Sequence, residues 1–173
     1  MSDLWVFGYG SLMWRPGFDF TDAVPARMFG VHRALCVYSW VHRGAQERPG
    51  LVLGLDRGGS CRGLAFRVAA ANRQTVIDYL RAREMVTAVY IEARRRIALA
   101  DRGEEVTALV YLADRGHEQY AGRLPLKRQL SLVRRSRGQS GANADYIVNT
   151  SGHLKELGIS DPSLDWLSRQ LSG

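Results

Sequence analysis

Two polar, glycine-bearing clusters, Asp56-Arg57-Gly58-Gly59-Ser60 and Asp101-Arg102-Gly103-Glu104, interrupt apolar runs, and they restrict the fold more than any other feature. Leu51–Leu55 and Cys61–Val68 flank the first; Thr87–Ala100 and Val106–Ala113 flank the second. Glycine tolerates the left-handed backbone angles that a tight reversal requires, so each cluster predicts a β-hairpin. Leu4–Phe7 reads as a short buried strand, and Ala26–Val41, with Leu35, Val37 and Tyr38, as a longer one. Asn72 suits an N-cap for a helix running to Arg83 or Glu84. The last third is helical: Pro125 and Gly138 bracket one helix, Ala142–Leu157 before Gly158 forms another, and Asp161-Pro162 starts a third. Strands, one helix, more strands and terminal helices give an α+β class rather than alternating parallel units. At 173 residues, with neither internal repeat nor linker, a single domain over 1–173 is expected.

Composition narrows the function. No apolar run approaches the roughly 20 residues of a membrane span, and Met1-Ser2-Asp3 lacks the basic start of a secretory signal, so a soluble cytoplasmic protein without membrane contact is expected. Cys36 and Cys61 lie in apolar runs and read as small hydrophobes rather than a disulfide. His32, His42, His117 and His153 show no ligand spacing, so no metal is implied. The net charge of +7 attracts anions, whether nucleic acid or a metabolite. The arginines at 81 and 83, 94 to 96, and 134, 135 and 137 lack interleaved aromatics and read mainly as solvated faces; no nucleic-acid partner is expected.

Phe7-Gly8-Tyr9-Gly10-Ser11-Leu12-Met13-Trp14 follows the first strand. A dinucleotide site would need a third glycine where Met13 stands, a following helix, and an acid about 20 residues on. Trp14-Arg15-Pro16-Gly17 disfavours the helix, and Asp19 and Asp22 come too early. Two readings stay open: a concavity of backbone N–H groups for a carboxylate or oxyanion, and a plain tight turn. Ser11 has no convincing His and acid partners, which argues against a serine hydrolase.

The second feature is an acid on an apolar face. At 100° per residue, Val76, Ile77, Leu80 and Glu84 share an arc of about 100°. A carboxyl directed inward near a helix C-terminus should hold its proton more tightly, as an acid–base catalyst requires. Alternatively Glu84 is neutralised by Arg81 or a strand arginine in a buried ion pair.

VFGYGSLMW, YSWVHRG, RPGLVLGLD, GSCRGLAFRV, YLRARE, QYAG and GANADYIVNTSGHLKELGI follow one another along nearly the whole chain. In this order they resemble the ChaC-type γ-glutamylcyclotransferases. The resemblance implies a mixed fold around a small β-barrel with flanking helices, no metal or cofactor, and cleavage of glutathione into 5-oxoproline and cysteinylglycine. It also implies a substrate loop of Val6, Phe7, Gly8, Tyr9, Gly10, Ser11 and Leu12, with Glu84 as the general acid/base. Arg43 and Tyr146 fall in matching segments, where binding and structural roles are equally open. Some members follow the glutamate with Gly-Gly-Tyr; here Met85-Val86-Thr87-Ala88-Val89-Tyr90 follows, which bears on the pocket rim and on selectivity. The alternatives are a cyclotransferase for other γ-glutamyl amines or dipeptides, and a non-catalytic basic protein that binds nucleic acid.

Overall fold

The computed structural model describes residues 2–84 and 89–172. In chain order the elements are β1 (Leu4–Gly8), a 3₁₀ turn (Ser11–Met13), β2 (Asp22–Ser39), β3 (Gly50–Val68), a second 3₁₀ turn (Ala70–Asn72) and α1 (Arg73–Glu84). Then come β4 (Tyr90–Leu99), β5 (Glu104–Ala113), α2 (Leu126–Arg135), the two-residue strands β6 (Arg137–Gly138) and β7 (Gly141–Ala142), α3 (Asn143–Glu156) and α4 (Pro162–Ser172). Strands β1, β3, β2, β4 and β5 close in that order into a barrel, so the α+β class and the barrel are both found. The chain groups into two compact units. One takes the residues up to Ala34 and Leu55–Asp114; the other takes Leu35–Gly54 and the residues from Arg115.

Within the first unit, strand alternation sorts side chains into two cores. Phe7, Ala65, Ala108 and Val110 join Val24, Met28, Ile97 and Leu99 in one cluster. Their neighbours Leu4, Val6, Phe66, Val68, Leu109 and Tyr111 face the other way and pack with Val76, Ile77 and Leu80 of α1. The apolar stripe of α1 is therefore buried as its spacing predicts, each of those three side chains contributing about 1.5–3 kcal/mol. Asp3 fixes the start of this helical region: its carboxylate accepts from the Ala70 N–H at 3.0 Å and from Arg67 Nε at 2.8 Å.

In the second unit Asn143, fully buried at the start of α3, acts as a substitute strand partner. Its Oδ1 accepts from Leu51 N at 2.8 Å and its Nδ2 donates to Leu51 O at 2.9 Å. Helix α3 ends before Gly158, at φ +72°, and Asp161 Oδ1 caps α4 by accepting from Leu164 N at 3.1 Å.

The first expected hairpin is not formed. Gly58 and Gly59 take φ of +104° and +72°, but β3 continues through them as one strand. Left-handed glycines kink a strand as readily as they reverse it, and the residues beyond them find a distant partner, pairing Leu64 with Gly8 and Val68 with Leu4. The second hairpin forms as expected, with Leu99 opposite Glu104 and Gly103 at φ +61°. Strand β2 begins at Asp22 rather than Ala26; it runs through Pro25, whose carbonyl still accepts from Ala100 N at 2.9 Å. Thr87 and Ala88, the expected first residues of the following strand, lie outside the described residues.

Candidate active site

The end of β1 sets up the glycine-bearing turn. Gly63 of β3 faces Gly8 so closely that a Cβ on Gly63 would run into the Gly8 carbonyl oxygen and the Phe7 ring. A Cβ on Gly8 itself would stand 3.2 Å from Leu12 Cβ and 3.3 Å from the Phe66 ring. The chain then makes one 3₁₀ turn over Ser11–Met13, closed by Met13 N donating to Gly10 O at 2.9 Å. Of the seven predicted loop residues, Val6, Phe7 and Leu12 spend their side chains in the two cores. What they can offer a ligand is backbone. Among the described residues no acceptor meets the N–H groups of Gly10, Ser11 and Leu12, the unsatisfied donors expected at the start of a short helical turn. Such donors favour an anion or a developing oxyanion.

Two arginines fix this turn. Arg33 Nε of β2 donates to Tyr9 O at 2.7 Å, while its Nη2 donates to Arg62 O at 2.6 Å. Arg83 Nη2, from the last turn of α1, donates to Ser11 Oγ at 3.0 Å. Neither was anticipated from the sequence, where the partners stand 24 and 72 positions apart with no local pattern to join them.

Glu84 follows Arg83 at the end of the buried stripe, its side chain only 19% exposed. Burial pushes its carboxyl above the ordinary glutamate value, and the Arg83 charge, with Nε 3.6 Å from Glu84 Oε1, opposes this more weakly. The alternative ion pair with Arg81 is not made. Arg81 instead forms a two-pronged pair with Glu92 of β4, Nε and Nη2 each 3.0 Å from the carboxylate oxygens. These bonds hold the Glu92 carboxyl below its ordinary value. Neither Arg81 nor Arg83 is therefore a merely solvated charge. Tyr111 of β5 donates its hydroxyl to Glu92 Oε1 at 2.9 Å. Burial is the main cause that raises the Tyr111 phenol, with the Glu92 bond and the charges of Glu92 and Glu84 adding to it. The proton affinities of these two carboxyls are thus shifted in opposite directions, Glu84 upward by burial and Glu92 downward by its bonds from Arg81.

Arg43 and Tyr146 come together in the second unit, the guanidinium 5.6 Å from the ring centre. Arg43 Nη1 donates to Ala142 O at 3.2 Å, and Tyr146 Oη accepts from Leu53 N at 3.0 Å, contacts that serve structure. Met85 to Ala88, on which the rim expectation falls, lie outside the described residues. Among the described residues no group of three or more His, Cys, Asp or Glu is placed to hold a metal ion, and no helix is long and apolar enough to cross a membrane.

A family profile described as ChaC-like protein matches residues 4–172. The chain is 33% identical over 162 residues to the glutathione-specific gamma-glutamylcyclotransferase of Escherichia coli (strain K12), covering 94% of this chain and 70% of that protein. It is 31% identical over 158 residues to glutathione-specific gamma-glutamylcyclotransferase 1 of Mus musculus, covering 90% and 71%. A crystal structure of a yeast gamma-glutamyl cyclotransferase specific to glutathione shares the fold, with a TM-score of 0.87 at 21% identity over 99% of this chain and 96% of that one.

Proposed function

Because the chain belongs to the ChaC-like family, we propose that it is a γ-glutamylcyclotransferase that cleaves glutathione into 5-oxoproline and cysteinylglycine, acting over residues 1–173 as one catalytic domain without metal or cofactor. The observation that carries the chemistry is the nearly buried Glu84, whose proton affinity is raised, on the helix whose Arg83 grips the amide-bearing turn.

The α-amine of the γ-glutamyl group attacks its own γ-carbonyl, the C–N bond to cysteine breaks, and a five-membered lactam closes. The attacking nitrogen must lose a proton and the departing nitrogen must gain one. A single carboxylate lying between the two can do both, an effect of about 10²–10⁴ in rate. Glu84 takes this role, and its raised proton affinity brings it nearer to the pH at which it must accept and then return the proton. The N–H groups of Gly10, Ser11 and Leu12 supply donors for the glutamyl carboxylate or for the oxyanion that forms on the carbonyl oxygen. Holding the head folded turns ring closure into an oriented unimolecular step. The bond broken is carbon–nitrogen and no water enters, which makes the reaction that of a lyase. The cytoplasm, where glutathione sets the thiol poise, is the compartment this chemistry fits.

Incubating the purified protein with reduced glutathione and following both products by chromatography tests the reading. Wild type should release 5-oxoproline and cysteinylglycine in equal amounts, and Glu84→Gln should lower turnover by about 10²-fold or more while remaining folded. Release of free glutamate instead, or full activity in Glu84→Gln, would refute it.

A further inference from the structure

The side chain of Arg83 links several parts of this site. Its guanidinium has five N–H donors in a rigid plane. Nη2 donates to Ser11 Oγ at 3.0 Å, and Nη1 donates to Arg15 O at 2.7 Å and to Pro16 O at 3.1 Å. Nη1 also donates to the Tyr79 hydroxyl at 3.1 Å. That hydroxyl in turn lies against Gly17, at φ +75°, where an added Cβ would collide with it. Nε faces Glu84 Oε1 at 3.6 Å. One side chain, 21% exposed, therefore reaches the turn at Ser11, the backbone that follows it, and the carboxylate of the next residue.

We infer that Arg83 is a positioning residue for the cyclisation, holding the amide-bearing turn in register with Glu84 so that the glutamyl head and its base meet at a fixed distance. The inference rests on the cyclotransferase reading of those two elements. The turn and the end of α1 are joined by no shared strand or helix. The turn is anchored to the barrel through Arg33 and Tyr9 O on one side and to α1 through Arg83 on the other. Releasing the second anchor leaves the amides attached to the barrel but unreferenced to the base. A displacement of about 1 Å between a reacting group and its catalyst can cost about 10²-fold in rate.

Charge and geometry make separable contributions. Among the described residues, Arg83 beside it on α1 supplies the charge that favours the Glu84 carboxylate, while the Tyr111 phenol of β5 is itself raised in part by the Glu84 charge. The Arg81 charge is engaged by Glu92. Removing the Arg83 charge moves the acid limb of the kcat/KM profile, where the free base protonates, to higher pH. A lysine keeps the charge but has no planar fork to reach Ser11, Arg15 and Pro16 together.

The test compares wild type, Arg83→Gln, Arg83→Lys, Ser11→Ala and Glu84→Gln, reading kcat and KM for glutathione across pH together with melting temperature. Arg83→Gln should lose about 10²-fold in kcat/KM, mostly in kcat, with its acid limb displaced upward; Arg83→Lys should keep the wild-type limb and recover only part of the rate. Ser11→Ala, which removes one of the anchors and keeps the charge, should lose a smaller factor with an unmoved limb. If Arg83→Gln does not fold, the lysine and Ser11 variants still decide the matter, because full activity in both overturns the inference. A folded Arg83→Gln with lowered melting temperature but wild-type kcat and limb also overturns it, leaving only a structural role. An active Glu84→Gln brings down the cyclotransferase reading and this inference together. An inactive Glu84→Gln beside a fully active Arg83→Gln brings down this inference alone.

Discussion

Tyr111 and Glu92 are direct cross-strand partners in the β4–β5 ladder, and the phenol of one donates to the carboxylate of the other at 2.9 Å. Tyr111→Phe removes that donor but leaves Glu92 with both bonds from Arg81. The expected loss is about 0.5–1.5 kcal/mol of stability, measured by urea unfolding. The raised phenol should also make Tyr111 ionise well above an ordinary tyrosine. An ultraviolet pH titration of the variant should therefore differ from wild type only at the most alkaline end.

Glu84 couples stability to pH in the direction opposite to an ion-paired carboxylate. Its folded-state proton affinity is higher than in the unfolded chain, so the native state binds the proton more tightly. That contribution is complete below the unfolded value, 4.5, and is lost as pH rises through the raised folded value. Glu84→Gln should consequently melt higher than wild type at neutral pH, with the difference shrinking on acidification. Calorimetry at matched pH values checks this, and a gain that grows toward acid would contradict the burial argument.

Asn143 satisfies both backbone groups of Leu51 from a position without solvent exposure. Asn143→Ala leaves a buried N–H and a buried C=O unpaired, each costing roughly 1–3 kcal/mol, so a total of about 2–6 kcal/mol is expected by chemical unfolding. A loss below about 0.5 kcal/mol would mean that water replaces both bonds.

Recognition of the head predicts which substrates fail. On the proposed mechanism the free α-amine is the nucleophile and the free α-carboxylate is an anchor, so N-acetylated glutathione and its glutamyl α-amide should give no 5-oxoproline. Peptides with an ordinary α-linked glutamate should fail as well. γ-Glutamylalanine should react with lower kcat/KM than glutathione through lost contacts to the tail. Comparing product release for these compounds and glutathione on one preparation is sufficient, and a cyclised product from the acetylated compound would rule out the intramolecular attack.

The sequence carries the parts of this site that are local. The spacing of Val76, Ile77, Leu80 and Glu84 places the acid on the buried face of α1, because helical periodicity alone determines that face. The Asp101–Glu104 reversal is equally local, since its two strands lie beside each other along the chain. The Asp56–Ser60 cluster misleads because a kink and a reversal use the same residue types; the outcome depends on whether Cys61–Val68 pairs backward or with β1, a contact more than 50 positions away. Arginine is ambiguous in the same way. Arg81 stands at a helical spacing from Glu84 yet turns to Glu92, while the adjacent Arg83 takes the loop, a choice made by the strand and the turn that face the helix.

The division of labour within the turn also limits how its selectivity can be redesigned. Val6, Phe7 and Leu12 are committed to packing, Gly63 leaves no space for a larger residue, and a side chain at Gly8 would press on Leu12 and Phe66. What these positions present outward is peptide bond, whose chemistry is the same whatever amino acid carries it; in the same stretch Ser11 is exposed and its hydroxyl is held by Arg83. A protein engineer seeking a new specificity would therefore gain little by diversifying these positions. Libraries are better directed at the surfaces facing the turn, with the turn itself treated as invariant scaffold.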